Sequence, residues 1–121
     1  ERLEFLGDAI LDHVISEWLY RKYINLDEGE LTKKRSALVN TSFLSYLGQK
    51  IKLIDYLNAD SGLDVKDEKV IEKISANLYE SIIGAIFLDG GQTSAEKFIY
   101  KTLIKSQTKA NENYNYKFWI S

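Results

Sequence analysis

ERLEFLGDAILD, residues 1–12, opens the chain with acids at Glu1, Glu4, Asp8 and Asp12 and sets Phe5 among them. Steps of three and four residues are those of an α-helix, in which such positions share a face. With Glu1 at zero and about 100° per residue, Glu4 falls at about 300°, Asp8 at about 340° and Asp12 at about 20°. The four acids thus share a sector of roughly 80°. Leu3, Leu6, Ile10, Val14 and Trp18 form an apolar stripe between roughly 140° and 260°. The wheel therefore predicts acids standing opposite the core.

A face that is only solvated usually mixes signs, with opposite charges one turn apart. Glu4, Asp8 and Asp12 carry one sign, so their repulsion calls for a partner. A divalent cation would offset it, because carboxylates four residues apart on a helix can both reach one ion. Asp12 lies about 16 Å along the axis from Glu1, too far for one ion to engage both. It reads as a surface acid or a group behind the ligands. Phe5, at about 40°, is well away from the stripe and reads as a contact with another chain.

Composition narrows the chemistry. At 121 residues, 45% hydrophobic and 28% charged, the chain has the make-up of one ordinary globular domain. It has no cysteine and a single histidine, His13, which excludes thiolate sites, disulfides and cysteine nucleophiles and disfavours a His-rich zinc site or a Ser-His-Asp triad. Hydrolytic chemistry would have to come from carboxylates holding a hard cation. No apolar run approaches the roughly 20 residues needed to cross a bilayer. The net charge of −2 gives no global attraction to nucleic acid, so a polyanionic substrate needs local basic patches or metal ions.

Helical spacing dominates and proline is absent, so the fold class reads as all-α. One amphipathic helix is expected over 2–23 and a second helical region over about 30–51, broken near Asn40, Thr41 and Ser42. The polar segment 58–67 reads as a loop. A long helix is expected from about Glu68 to Leu88, ending at Asp89-Gly90-Gly91 where glycine supplies a left-handed residue. Thr93 and Glu96 suggest a capping box for a last helix through about Ile104. Residues 106–115 read as a linker, and Tyr116 to Ile120 as the start of another helix.

SANLYESIIGAIFLDGG, residues 75–91, supplies the partner for the acidic face. Asn77 and Glu80 share one face with Gly84 a turn further on, while Tyr79, Ile82, Ile83 and Ile86 point to a core. Packed beside the first helix, Glu80 and the Asn77 amide oxygen would meet Glu4 and Asp8. Four oxygen donors with water completing the shell suit Mg²⁺ or Mn²⁺.

ERLEFLGDAILD, LDEGELTKKRSALVN (26–40) and SANLYESIIGAIFLDGG together resemble the ribonuclease III family of double-stranded-RNA endonucleases. The resemblance implies an all-α helical bundle, the endonuclease domain, working as a homodimer in the cytoplasm. It implies metal ligands at Glu4, Asp8, Asn77 and Glu80, catalytic roles for Asp8, Glu80 and Glu1, and an acid at Glu28 that approaches the site in the dimer. Phe5 matches the aromatic that enters a pocket of the partner subunit.

The implied reaction is Mg²⁺-dependent hydrolysis of duplex RNA, leaving 5′-phosphate and 3′-hydroxyl ends, as in RNA processing. Lys33, Lys34 and Arg35, with Lys101 and Lys105, are candidate phosphate contacts. Residues 1–110 would be the catalytic domain, without the helices that normally precede the signature, and 111–121 the start of a linker helix towards an absent C-terminal domain. The family usually has Asp where this chain has Asn77, which removes one negative charge from the site. The alternative reading is a catalytically impaired relative that binds structured RNA. A four-helix dimetal protein lacks the Glu-x-x-His pairs it would need.

Overall fold

The computed structural model describes residues 1–51 and 67–106. Those residues form helices α1 (Arg2–Lys22), α2 (Glu28–Val39), α3 (Thr41–Lys50) and α4 (Glu68–Ile99), followed by a π-helical turn, Tyr100–Ile104. The expected linker and final helix at 107–121, and the loop at 58–66, lie outside the described residues.

Short polar side chains set the starts of three helices by taking amide hydrogens that have no carbonyl partner within the helix. The Asp27 carboxylate accepts from the Glu30 amide at 2.9 Å. Asp67 accepts from the Lys69 amide at 3.0 Å. Asn40 closes one helix and opens the next: its Nδ2 donates to the Ala37 carbonyl at 3.0 Å and its Oδ1 accepts from the Phe43 amide at 2.9 Å. The break expected at Asn40–Ser42 is thus a single-residue joint.

Gly91 interrupts α4 with φ +80° and ψ −173°. That is the mirror image of extended backbone, which glycine enters without steric cost. The stop at Asp89-Gly90-Gly91 therefore becomes a sharp kink, after which helix resumes. The capping box does not form as expected, since the Glu96 carboxylate accepts from Gln92 Nε2 at 3.1 Å.

The core is made by α1, α3 and α4 with the π-turn, to which α2 adds Leu38. Leu11, Ile15, Leu47, Tyr79, Ile83, Ile99 and Leu103 have essentially no exposed surface. Burying each aliphatic side chain of this size contributes roughly 1.5–3 kcal/mol. The Tyr79 hydroxyl sits 2.6 Å from Thr102 Oγ1, and Thr102 Oγ1 donates to the Phe98 carbonyl at 2.7 Å. This chain of hydroxyls ties the middle of α4 to the π-turn and fixes its rotation.

The wheel is corrected in one respect. Leu3 is 39% exposed and Leu6 and Trp18 only half-buried, whereas Leu11, Ile15 and Leu19 are at most 2% exposed. On the same wheel those three lie at about 280°, 320° and 0°, in the sector of Glu4 and Asp8. The acids stand above the core, on the packed face, and not opposite it. The apolar stripe alone pointed elsewhere because α1 is flanked by two helices, α2 and α4, which bury a broader arc.

Candidate active site

Where α1 crosses α4, the two backbones almost touch. A methyl group built on Gly7 would fall on the Glu80 carbonyl oxygen, and one built on Gly84 would fall on the Leu3 carbonyl oxygen. Gly7 is the residue before Asp8, so the close approach sets Asp8 directly against Glu80. Glycine in a helix interior costs about 1 kcal/mol relative to alanine and so requires a packing reason. Here the reason is the crossing.

Glu80 is half-buried, and its carboxyl is pushed up from the ordinary 4.5 to about 8. Burial is the largest cause, followed by a hydrogen bond with Asp8 and then the negative charges of Asp8, Glu4 and Asp12. A hydrogen bond between two carboxyl groups needs a proton on one of them, and Glu80 keeps it. Asp12 is also raised, by burial first and by Asp8, while the charge of Arg35 draws it back down. The charges of Glu4, Asp8 and Asp12 thus reach Glu80, and that of Asp8 reaches Asp12. Asn77 lies one turn before Glu80 on α4 and is half-buried.

The tightly apposed part of that cluster is the pair Asp8–Glu80. Among the described residues no group of three or more His, Cys, Asp or Glu side chains is gathered closely enough to hold a metal ion. The chemistry of the pair still fits a hard divalent cation: Glu80 is half-buried, Asp8 is exposed beside it, and the negative charges of Asp8, Glu4 and Asp12 raise the Glu80 carboxyl, so the spot favours positive charge. A divalent cation held there by Asp8 and Glu80 would offset the repulsion between them.

The remaining residues singled out in the sequence are spread around this pair. Glu1 is exposed at the start of α1. Phe5 is 80% exposed and Leu88 66% exposed, and with Leu3 and Leu6 they line an open apolar hollow next to Glu1. Glu28 begins α2, accepts from Thr32 Oγ1 at 2.9 Å and lines a groove between α1 and α2. Lys33 is exposed, and Lys34 Nζ lies 4.5 Å from the centre of the Tyr23 ring. Arg35 turns inward, its Nη1 donating to Ser16 Oγ at 2.8 Å. Lys101 lines a second groove with Trp18 and Tyr100, and Lys105 is exposed.

Gly7 is the functional position that charge spacing alone passes over. Its signal was a glycine inside a strongly helical pattern, one residue from an acid. No helix among the described residues is long and apolar enough to cross a membrane.

Comparison with known proteins bears on the family and the fold. The chain is 46% identical over 103 residues to "Ribonuclease 3" of Leptospira interrogans, covering 85% of this chain and 42% of that protein. It is 39% identical over 119 residues to "Ribonuclease 3" of Syntrophomonas wolfei, covering 97% of this chain and 51% of that one. The chain thus spans about half the length of these curated relatives. The crystal structure of the nuclease domain of ribonuclease III from Campylobacter jejuni superposes with a TM-score of 0.72 at 35% identity, over 88% of this chain and 72% of that one. Dicer from Pichia stipitis superposes with a TM-score of 0.59 at 31% identity, over 89% of this chain and 51% of that one. The model of the Ribonuclease-III-like family matches residues 1–107, and the chain belongs to that family.

Proposed function

We propose that this chain is the nuclease part of a divalent-metal-dependent endoribonuclease that hydrolyses phosphodiester bonds in double-stranded RNA, as a homodimer in the cytoplasm. The observation that carries the reading is the apposition of Asp8 and Glu80 across the Gly7–Gly84 crossing, with Glu4 and Asp12 close enough to act on Glu80. The relatives named "Ribonuclease 3" support the same reading.

Asp8 and Glu80 would hold Mg²⁺, or Mn²⁺ in its place, with Glu4 and the Asn77 amide oxygen as further donors and water completing the shell. A bound divalent cation supplies a water of lowered pKa and offsets charge on the phosphate and the leaving 3′-oxygen. Glu80 would have to be ionised to serve as a ligand alongside Asp8. Asn77 contributes a neutral oxygen and leaves the site one charge short, which weakens cation binding without removing a donor.

Glu1, exposed at the helix start, is read as a further active-site acid, and Glu28 is assigned to the dimer. Phe5 with Leu88 forms an apolar patch suited to a second copy of the chain. Duplex RNA would be read by shape and by its phosphates and 2′-hydroxyls. Lys33 and Lys34 are the candidate contacts on α2.

The test is incubation of the full-length protein with long duplex RNA in Mg²⁺ or in EDTA. Cutting that depends on Mg²⁺ and leaves 5′-phosphate and 3′-hydroxyl ends supports the reading. Tight binding without cutting supports the second reading, an impaired relative that binds structured RNA, for which Asn77 is the specific observation.

A further inference from the structure

We infer that Arg35 is a positioning residue for the acid cluster, a fixed counter-charge clamped to α1 that weakens divalent-cation binding while keeping the cation-free site folded. The inference rests on the metal reading above.

Three observations meet at this residue. Arg35 sits on the face of α2 that carries Leu31 and Thr32, and all three line the groove against α1. Its Nη1 donates to Ser16 Oγ at 2.8 Å in a part-buried setting. Ser16 in turn continues the column Asp8, Asp12, Ser16 at one-turn intervals along α1, which puts the guanidinium at the end of the acidic row. The charge of Arg35 is felt at Asp12, where it opposes that of Asp8.

Its neighbours on α2 behave differently. Lys33 is exposed and Lys34 lies over the Tyr23 ring, so neither is anchored to the acid-bearing helix in this way. Among the described residues the ion pair within 4.0 Å is Glu17–Arg21, on an exposed stretch of α1. Arg35 therefore works on the acids through space from a hydrogen-bonded perch. Such a cation stabilises the crowded carboxylates when no metal is present and repels a metal that arrives.

The experiment follows thermal unfolding of the full-length protein against Mg²⁺ concentration, without RNA, for the wild type, Arg35→Gln, Arg35→Lys and Lys50→Gln. Arg35→Gln is expected to melt lower without Mg²⁺ and to reach its Mg²⁺ midpoint at roughly three- to tenfold lower concentration, the range Coulomb's law gives for a charge about 10 Å from the ion. The difference should shrink in high salt. Arg35→Lys should keep the wild-type midpoint, and Lys50→Gln, which removes a charge from the far end of α3, should leave it unchanged.

A folded Arg35→Gln protein whose midpoint is unchanged or higher overturns the inference, because loss of a purely structural contact cannot tighten Mg²⁺ binding. If Arg35→Gln does not fold, Ser16→Ala decides: release of the anchor should move the midpoint the same way by a smaller factor, and no movement overturns the inference. A wild-type protein that ignores Mg²⁺ altogether overturns the metal reading itself, a result visible without any variant.

Discussion

Two helix crossings in this molecule bring backbones into near contact, and they are used for different ends. At one, Gly48 of α3 lies against the Ser75 carbonyl of α4; at the other, Gly7 of α1 lies against the Glu80 carbonyl of the same helix. The first is dry. Ser75 is fully buried and Leu47 beside Gly48 is 1% exposed. At the second, Asp8 is exposed, and the charges of Asp8 and Glu4 raise the half-buried Glu80 carboxyl. Glycine permits the approach in both cases. Leu precedes the glycine in both, and what differs is the residue after it: Gln49 after Gly48 and Asp8 after Gly7. A close crossing becomes a site only where charge is forced to gather on it.

The sharpest way to break the comparison is to block both crossings. Gly7→Ala and Gly48→Ala should each lose about 3 kcal/mol or more, since a methyl group cannot fit against a carbonyl without moving a helix. Urea unfolding checks this. Any Gly48→Ala protein that folds should keep its Mg²⁺-dependent rise in melting temperature, and folded Gly7→Ala should lose it.

Glu80→Gln should abolish cleavage while leaving the protein folded. Its effect on stability follows from the sign of the shift. Glu80 holds its proton more tightly in the fold, at about 8, than in the unfolded chain, at 4.5. Its stabilising contribution is therefore complete below pH 4.5 and is lost as pH rises through 8. Without metal, Glu80→Gln should melt higher than the wild type at pH 8, and the difference should fade towards pH 5. Melting curves across that range are the check.

Asn77→Asp should tighten Mg²⁺ binding severalfold and lower the melting temperature of the metal-free protein, because it adds a like charge to an already crowded cluster. Titration calorimetry reads the first effect and a thermal melt the second.

The smallest effect is expected at the dry crossing. Ser75 Oγ is buried and has no hydrogen-bond partner among the described residues. Ser75→Ala removes an unsatisfied hydroxyl and should stabilise the fold by about 1 kcal/mol, with no change in Mg²⁺ response.

Much of this site was legible in the sequence because spacing is a local property. Acids at 4 and 8, and Asn77 three residues before Glu80, state which side chains share a helix face, but the close approach at Gly7 and Gly84 that joins Asp8 to Glu80 does not follow from spacing. The orientation of that face was not legible. The wheel set the acids opposite Leu6, Ile10 and Val14, yet α1 is covered from two sides and buries Leu11, Ile15 and Leu19 most deeply. Burial depends on which helices arrive, and that is a non-local matter. Arg35 was unreadable for the same reason. In KKR all three residues look alike, and only the docking of α2 on α1 turns one of them inward to Ser16.

The claim beneath all of these is that Asp8 and Glu80 are two ligands of one divalent cation. Crystals of the full-length protein grown with Mn²⁺, measured at the manganese absorption edge, test it directly. The expected result is an anomalous peak between those two carboxylates, lost in Glu80→Gln. Manganese bound elsewhere on the chain, with no peak between Asp8 and Glu80, would contradict it.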